Sequence, residues 1–385
     1  MDYEKKHSIY KVNSIRGRYL NLDKIESILQ EWNAEKRVVI LGKSVQGKPI
    51  YNFKIGHGKT KILMWSQMHG NESTTTKGLL DFLNFLQNDT KDAKSILENY
   101  TFYVIPMLNP DGAELYTRVN ANEIDLNRDF QNLTQPESRL LMELYQDFKP
   151  DFCFNLHDQR TIFGVGTSGK PATVSFLAPS FNEFKTYDEA RLKSVAVIMK
   201  MESVLKTLIP GQIGRFDDAF NANCVGDTFQ ALNTPTILLE AGHYPQDYER
   251  EITRKYVFIA LLSAFENSNE NLVVDNVLFD YLKIPQNIPN FFDFVFKNVK
   301  INYDKSDIIT NFAVQFKEEL KEDKIIFNGF IDKPQNLDSF FGHIEYDATF
   351  EQYTDKLDSI PKQNTIADFS IGNKVIFVNG LIKNQ

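Results

Sequence analysis

The stretch "KILMWSQMHGNES", residues 61–73, joins an apolar run to a histidine and a glutamate that stand three residues apart. Residues 61–68 are nearly all apolar, which is typical of a strand buried on both faces of a sheet. His69 and Glu72 follow that strand, with Gly70 as the expected turn residue between them. Because the chain has six histidines, a His-x-x-Glu spacing has nearly even odds of occurring somewhere in it by chance. The pair therefore needs partners from elsewhere in the chain before it indicates a metal site.

Short β-rich runs alternate with helical runs between residues 37 and 267. This alternation predicts an α/β fold, in which a mixed, largely parallel sheet carries helices on both faces. Residues 109–135 are expected to form a polar loop, and threonines 74–76 are candidate caps for the helix that follows residue 73. The predicted strands are 37–44, 49–56, 61–68, 101–108, 151–157 and 234–242, and the predicted helices are 77–87, 136–148, 188–209 and 247–266.

The character of the chain changes after about residue 270. Short β-rich runs such as "NVKINYD", "KIIFNGFID" and "NKVIFVNGLI" follow one another, with Asn-Gly pairs that are typical of tight turns. We therefore predict two domains, a large α/β domain over residues 1–270 and a small, mainly β accessory domain over residues 271–385.

Composition excludes several classes of function. The net charge of −8 argues against binding along a nucleic-acid backbone, which needs clustered Lys and Arg. The first residues contain no apolar signal region, and no apolar run reaches the roughly 20 residues that span a bilayer. Cys153 and Cys224 lie in apolar settings and are expected to be buried thiols. These features predict a cytoplasmic protein without a nucleic-acid or membrane partner.

Ionisable residues follow the predicted buried strands, at the points where those strands end. In an open α/β sheet, functional groups gather outside the carboxyl ends of the strands. His69 and Glu72 follow the strand 61–68, and His157 ends the strand 151–157. Two histidines and one carboxylate form a common catalytic zinc shell, which leaves a fourth position for water. The sequence therefore predicts a site for one zinc ion.

Other strand ends supply the groups that hydrolysis at such a site requires. Glu240 ends the strand 234–242 and could take a proton from the zinc-bound water. Arg118 or Arg128, in the polar loop, could stabilise an anionic intermediate. Asp125 is a candidate acceptor for the second ring nitrogen of a ligating histidine.

Six segments, in this order along the chain, resemble the zinc carboxypeptidase superfamily of α/β metallopeptidases. The resemblance covers residues 40–270 and implies the same fold for that region. The segments are "GKSVQGKPIY" (42–51), "HGNE" (69–72), "NPDG" (109–112), "RVNANEIDLNRDF" (118–130), "NLHD" (155–158) and "TPTILLEAG" (234–242).

The resemblance implies a role for each matching residue. His69, Glu72 and His157 match the zinc ligands, and Glu240 matches the general base that activates the metal-bound water. In the same way, Arg118 matches the arginine that polarises the scissile carbonyl.

Three further positions match residues outside the metal shell. Asn127 and Arg128 match the pair that holds the substrate's terminal carboxylate, and a guanidinium group suits a carboxylate geometrically. Asp125 matches the acid behind the first zinc histidine. The implied activity is a zinc metallocarboxypeptidase that hydrolyses the C-terminal peptide bond, or a related amide bond, of a substrate with a free carboxylate.

One departure from the family pattern leaves other functions open. Residues 209–232 contain no tyrosine, whereas peptide-cleaving relatives usually carry one on a loop in this region. A zinc deacylase of N-acyl amino acids, similar to succinylglutamate desuccinylase and aspartoacylase, is one alternative, and the small β domain favours it. A non-catalytic binding protein with the same fold is another alternative, although all four metal-ligand and base positions are occupied.

Overall fold

The computed structural model describes residues 2–266, 276–303, 306–333, 337–355, 360–372 and 375–383. The chain forms two compact units, which are described separately below. The larger unit comprises Met1–Gln159 and Ala172–Asn287, and the smaller unit comprises Arg160–Pro171 and Ile288–Gln385. These units divide the chain at other residues than the predicted domain boundary at 270/271, and the assignment of a catalytic and an accessory domain stays a prediction.

The larger unit is built on a mixed sheet that has eight strands among the described residues, in the order β1-β2-β4-β3-β5-β9-β7-β8. The four central strands β4, β3, β5 and β9 run parallel to one another, and the outer strands β1, β2 and β7 join in antiparallel pairs. Strands are numbered along the whole chain. Those of the larger unit are β1 (Val38–Lys43), β2 (Pro49–Gly56), β3 (Thr60–Ser66), β4 (Tyr100–Ile105), β5 (Phe152–Asp158), β7 (Val174–Leu177), β8 (Ile213–Arg215) and β9 (Thr236–Ala241).

Helices cover both faces of this sheet, as predicted. Alternate residues of β3 enter two different cores: Ile62 and Met64 pack on the side of α3, α7 and α9, while Leu63 and Trp65 pack on the side of α6. The helices are α1 (Tyr3–Tyr10), α2 (Leu22–Glu31), α3 (Thr74–Leu86), α4 (Lys91–Asn99), α5 (Pro110–Leu115), α6 (Pro136–Phe148), α7 (Glu189–Leu208), α8 (Val225–Ala231), α9 (Glu251–Phe265) and α10 (Val277–Lys283), with 3-10 turns at Trp32–Glu35 and Leu126–Arg128.

Two local predictions differ from the structure. The expected loop 109–135 contains helix α5, whose first turn is capped by the Asn109 side chain and has proline at its start. The threonines expected to cap α3 are already inside the helix, and a carboxylate from β5, that of Asp158, accepts the amide protons of Thr74 and Thr75. An acidic group at a helix N-terminus satisfies unpaired amides and complements the helix dipole.

The smaller unit contains β6 (Phe163–Val165) and the chain from Ile288 onward, so that β10 begins at the last residue of the larger unit. A four-stranded sheet has the order β13-β12-β11-β14, and a second has the order β15-β16-β17-β18. A phenylalanine-rich core includes side chains from both sheets. The strands are β10 (Asn287–Pro289), β11 (Phe291–Tyr303), β12 (Ser306–Lys321), β13 (Lys324–Lys333), β14 (Phe341–Asp347), β15 (Tyr353–Thr354), β16 (Phe369–Ile371), β17 (Val375–Val378) and β18 (Leu381–Ile382).

The segment 160–171 is held within the smaller unit by polar contacts. The ring nitrogen Nε2 of His343 lies 2.7 Å from the carbonyl oxygen of Thr161, and the Gln315 amide donates to the Thr161 hydroxyl at 3.0 Å. No helix in the described part of the chain is long and apolar enough to cross a bilayer.

A buried ion pair connects α3, α9 and the amino-terminal segment of the larger unit. Arg254 donates to both oxygens of Asp81, at 2.7 and 2.6 Å, and neither side chain is exposed. Arg254 also donates to the carbonyl oxygens of Val12 and Ile15, while Asp81 accepts the Val12 amide proton at 2.8 Å. Helix packing and the course of the amino-terminal segment therefore depend on one paired charge.

We expect the Asp81→Asn substitution to lower the free energy of unfolding by about 3 kcal/mol, because it removes the buried carboxylate bonded to two nitrogens of the buried Arg254 guanidinium. The Glu251 carboxylate, 3.2 Å from Arg254 Nη1, stays as the remaining counter-charge. Urea unfolding followed by circular dichroism measures the change. Asp280→Asn is the control: Asp280 pairs with Lys283 at 2.8 Å in an exposed setting, so its loss should cost about 1 kcal/mol or less. Equal effects of the two substitutions would contradict the role given to the buried pair.

Candidate active site

The candidate site lies at the carboxyl ends of the four parallel strands, as the sequence predicts. The segment that bears His69 and Glu72 follows β3, His157 lies on β5, and Glu240 lies on β9. His157 and Glu240 are register partners in the parallel pair β5·β9. Since paired residues of adjacent strands share one face of a sheet, their side chains project in the same direction.

Three buried side chains form a compact group that could hold a metal ion. Ligand atoms of His69, Glu72 and His157 all lie within 4.8 Å of one another. The Nδ1 atoms of the two histidines lie 2.8 Å from Glu72 Oε1 and Oε2 respectively, and 3.1 Å from each other. Two ring nitrogens and a carboxylate that converge in this way match the donor set of a catalytic zinc site. The residues present therefore fit a zinc ion.

A close backbone approach explains the glycine between the first two candidate ligands. A Cβ atom on Gly70 would lie 2.0 Å from the carbonyl carbon of Gly112 and 2.2 Å from the amide nitrogen of Ala113. No side chain fits at that distance, so glycine lets the His69–Glu72 segment pack against α5. Glycine is therefore required at position 70 because of this close contact. The backbone of Gly70 is not in the left-handed conformation that many turn glycines adopt.

Asp125 and Arg118 contact the candidate ligands His69 and Glu72. Asp125 Oδ1 lies 2.9 Å from the second ring nitrogen of His69, and Asp125 Oδ2 accepts from Arg118 Nε at 3.1 Å. Arg118 also donates to Glu72 Oε1 at 3.1 Å, although its side chain is 47% exposed. A carboxylate in this position fixes the orientation of the His69 ring.

The site shifts the pKa values of its ionisable groups in different directions. Burial favours the neutral acid, but the two histidines outweigh it and hold the pKa of Glu72 well below its usual value. Burial also opposes ionisation of Asp125, yet His69 and Arg118 lower the pKa of that carboxyl group. The pKa of His157 is lowered, chiefly by burial.

Glu240 differs from these groups because, within the described part of the chain, no ion pair or hydrogen bond joins its carboxyl group to a cationic side chain. Burial of its carboxyl group raises the pKa of Glu240 well above its usual value, and the nearby carboxylates of Glu72 and Asp158 add to the effect. Two adjacent carboxylates in different environments, one with a lowered and one with a raised pKa, are typical of sites that move protons.

Asn127 and Arg128 lie beside the start of α8. The Asn127 side-chain oxygen accepts the amide proton of Val225 at 3.1 Å, which fixes the amide group. Arg128 is exposed, and its Nη1 atom donates to the Asn127 carbonyl at 2.8 Å and to Cys224 Sγ at 3.1 Å. Cys224 is only partly buried, so the prediction of two buried thiols is correct for Cys153 and wrong for Cys224.

Sequence reasoning missed two residues that hold the strand ends together. The backbone amide of Asp158 donates to Glu72 Oε2 at 3.0 Å, while its side chain caps α3. Arg250 is buried and donates to the carbonyl oxygens of Ala241 and Gln159, at 2.9 and 2.6 Å, so it joins the ends of β9 and β5. Asp158 could have been found in "NLHD", but nothing local distinguishes Arg250.

Comparison with known proteins gives a family match over part of the chain and a shared fold. Residues 25–155 match the family model described as zinc carboxypeptidase. Carboxypeptidase SOL1 of Arabidopsis thaliana is 31% identical over 162 residues, which are 36% of this chain and 33% of that protein. The probable carboxypeptidase 2 of Arthroderma benhamiae is 33% identical over 100 residues, which are 26% of this chain and 19% of that protein. The chain thus spans a third or less of these relatives.

Solved structures share the fold. The metallo-carboxypeptidase from Burkholderia cenocepacia superimposes with a TM-score of 0.51 at 18% identity, over 64% of this chain and 68% of that one. The mixed sheet and the helices on its two faces are therefore those of a carboxypeptidase fold. The resemblance recognised in the sequence is confirmed: residues 25–155 match the zinc carboxypeptidase family model, and the chain shares its fold with solved carboxypeptidase structures.

Proposed function

We propose that the protein is a zinc metallocarboxypeptidase that hydrolyses the C-terminal peptide bond, or a related amide bond, of a substrate with a free carboxylate. One observation carries the proposal: the buried group of His69, Glu72 and His157 stands beside Glu240 at the carboxyl ends of parallel strands. The names of the relatives support the same activity, although the matched regions cover only part of those proteins.

His69, Glu72 and His157 would hold one zinc ion, through two Nδ1 atoms and a carboxylate. Such an ion acts as a Lewis acid and lowers the pKa of water towards about 7. Asp125 keeps the His69 ring in the ligating orientation through its 2.9 Å contact.

Glu240 serves as the general base in this proposal. It takes a proton from the attacking water and delivers it to the nitrogen of the leaving group, so that the C–N bond breaks as the new C–O bond is retained. The environment that raises the pKa of Glu240 also makes it a better proton acceptor than an exposed carboxylate.

The arginines bind charge on the substrate. Arg118, which is half exposed, carries a guanidinium that can stabilise the oxyanion of the tetrahedral intermediate. Asn127 and Arg128 bind the terminal carboxylate, since a guanidinium offers parallel N–H donors to two carboxylate oxygens.

The zinc deacylase remains the second candidate, because the chain appends a small β unit to the catalytic fold. Blocked dipeptides and N-acyl amino acids distinguish the two activities when both are assayed with the same preparation. A cytoplasmic location, and the lack of nucleic-acid and membrane partners, stay predictions.

Glu240→Gln should lower kcat/KM by about 100- to 10,000-fold, the usual contribution of a general base. The zinc content should not change, because Glu240 is outside the ligand group. Glu189→Gln, at an exposed pair with Lys193, is the control and should behave as wild type. Hydrolysis that survives the Glu240 substitution would contradict the proposed mechanism.

Arg128→Ala should raise KM for substrates with a free terminal carboxylate by about 10- to 100-fold, the value of a lost charge-assisted hydrogen-bond pair. The KM for amidated analogues should change little. Arg139→Ala removes another exposed arginine, which contacts only backbone carbonyls in the described structure, and serves as the control. An equal loss on both substrate classes would show that Arg128 does not bind the carboxylate.

Metal analysis of the purified protein should find one zinc per chain. His157→Asn should reduce that stoichiometry, because two donors hold zinc less well than three. His57→Asn, at an exposed histidine outside the site, should leave it unchanged. Full zinc retention in the His157 variant would remove this residue from the ligand set, whatever the activity.

A further inference from the structure

A glutamine side chain connects two strands of the larger unit across the strand between them. Gln159 directly follows β5, and its Nε2 atom donates to the carbonyl oxygen of Ala172 at 2.6 Å and to Ser175 Oγ at 3.1 Å. Ala172 precedes β7 and Ser175 lies on it, while β9 stands between β5 and β7 in the sheet. The amide group of Gln159 therefore passes over β9.

A second side chain completes this bridge. Asn287 Nδ2 donates to Gln159 Oε1 at 2.8 Å and approaches Ser175 Oγ at 2.9 Å. Gln159 is 4% exposed and Ser175 is fully buried, so these hydrogen bonds are shielded from water. Both polar atoms of the Gln159 amide are thus used, and the amide has a fixed orientation.

The point where the bridge crosses β9 is occupied by glycine. A Cβ atom on Gly242 would lie 2.3 Å from Gln159 Nε2 and 1.9 Å from the carbonyl oxygen of Ala172. The backbone at Gly242 is not in the left-handed region, so the close approach alone requires glycine there. Gly242 stands two residues after Glu240.

The strand register places the bridge beside the candidate base. Glu240 pairs with His157 on β5 and with Ser175 on β7. Paired residues share a face of the sheet, as do residues two apart on one strand. Gln159, Ser175 and Gly242 therefore lie on the face from which the Glu240 side chain projects.

We propose that Gln159 is a positioning residue for Glu240, which rests on the proposed function. In this proposal the Gln159–Ser175–Asn287 bridge, which shares a face of the sheet with Glu240, restricts the Glu240 side chain to the side of the His69–Glu72–His157 cluster. Two main-chain hydrogen bonds beside the bridge hold the backbone next to Glu240: the backbone amide of Gln159 donates to the Ala241 carbonyl and that of Gly242 donates to the Thr173 carbonyl, both at 2.8 Å.

If Gln159 only stabilised the fold, its substitution would give a different result from the one expected of a positioning residue. Loss of a clamp lowers stability and leaves the kinetics of the folded fraction unchanged. Loss of a positioning residue changes the geometry of proton transfer, and a displacement of about 1 Å can cost about 100-fold in rate. The two roles are therefore separated by kcat, measured on folded, zinc-loaded protein.

The test compares three full-length variants with wild type on one blocked dipeptide. Gln159→Ala removes the bridge, and Gln159→Met keeps much of its volume without its hydrogen bonds. Gln230→Ala is the matched control: Gln230 is equally buried and accepts the Thr236 amide proton at the other end of β9, at 3.2 Å. Zinc content, melting temperature, kcat and KM are measured for each.

Both Gln159 variants should lose about 10- to 100-fold in kcat, with KM within about twofold of wild type and with full zinc content. The Gln230→Ala control should have a lower melting temperature, with kcat, KM and zinc content unchanged. If kcat of the Gln159 variants equals that of wild type, or falls no further than in the control, Gln159 does not position the base.

Amide hydrogen exchange provides a readout that does not depend on activity. The amides of Gln159 and Gly242 should exchange faster in Gln159→Ala than in wild type, and remain slow in the control. Unchanged exchange overturns the bridge even if the protein is active. A wild-type protein without hydrolytic activity overturns the proposed function, and the exchange data then still decide whether the bridge holds the end of β9.

Discussion

The Glu72 carboxylate is the group on which the geometry of the candidate site depends. It contacts the Nδ1 atoms of His69 and His157, and it accepts hydrogen bonds from the Asp158 amide and from Arg118. A buried carboxylate is costly unless it is paired and hydrogen-bonded, so these partners must stay in place together. Three chain segments that are distant in sequence, around residues 69–72, 118 and 157–158, are thereby held around one pair of oxygens.

Burial and charge divide the carboxylates of the site into two kinds. Glu72 and Asp125 are bonded to histidine and arginine side chains, and their pKa values are lowered. Glu240 is partly buried near other carboxylates without such a bond, and its pKa is raised. A glutamate can thus be suited to hold a metal at position 72 and to accept a proton at position 240, because the neighbouring charges and the burial differ.

The rim of the sheet could be predicted because its signals are local. Buried strands are visible as apolar runs, and the carboxyl ends of parallel strands meet, so His69, His157 and Glu240 could be brought together before any coordinates were known. Helix α2 also carries a readable signal that the prediction omitted, since Asn21 caps it and its buried residues Leu22, Ile25, Ile28 and Leu29 follow helical spacing.

Other features depend on partners that sequence spacing does not reveal. Asp158 caps a helix that begins 84 residues earlier, and Asn287 bonds to a glutamine 128 residues before it. The excursion of residues 160–171 into the smaller unit is fixed by residues beyond 288, as the contact between Thr161 and His343 shows. In each case the hydrogen-bond partner is one of many polar groups in the chain, and it is brought close only by the tertiary fold. No periodicity or local motif identifies it.

X-ray absorption at the zinc edge tests the central claim most directly, because it reports ligand types without an assay. The account predicts two imidazole nitrogens at about 2.0–2.1 Å and light oxygen ligands at about 2.0–2.2 Å, with no sulfur. Loss of one imidazole contribution in His157→Asn should follow. A sulfur ligand at about 2.3 Å, or a wild-type spectrum without imidazole scattering, would contradict a zinc site built from His69, Glu72 and His157.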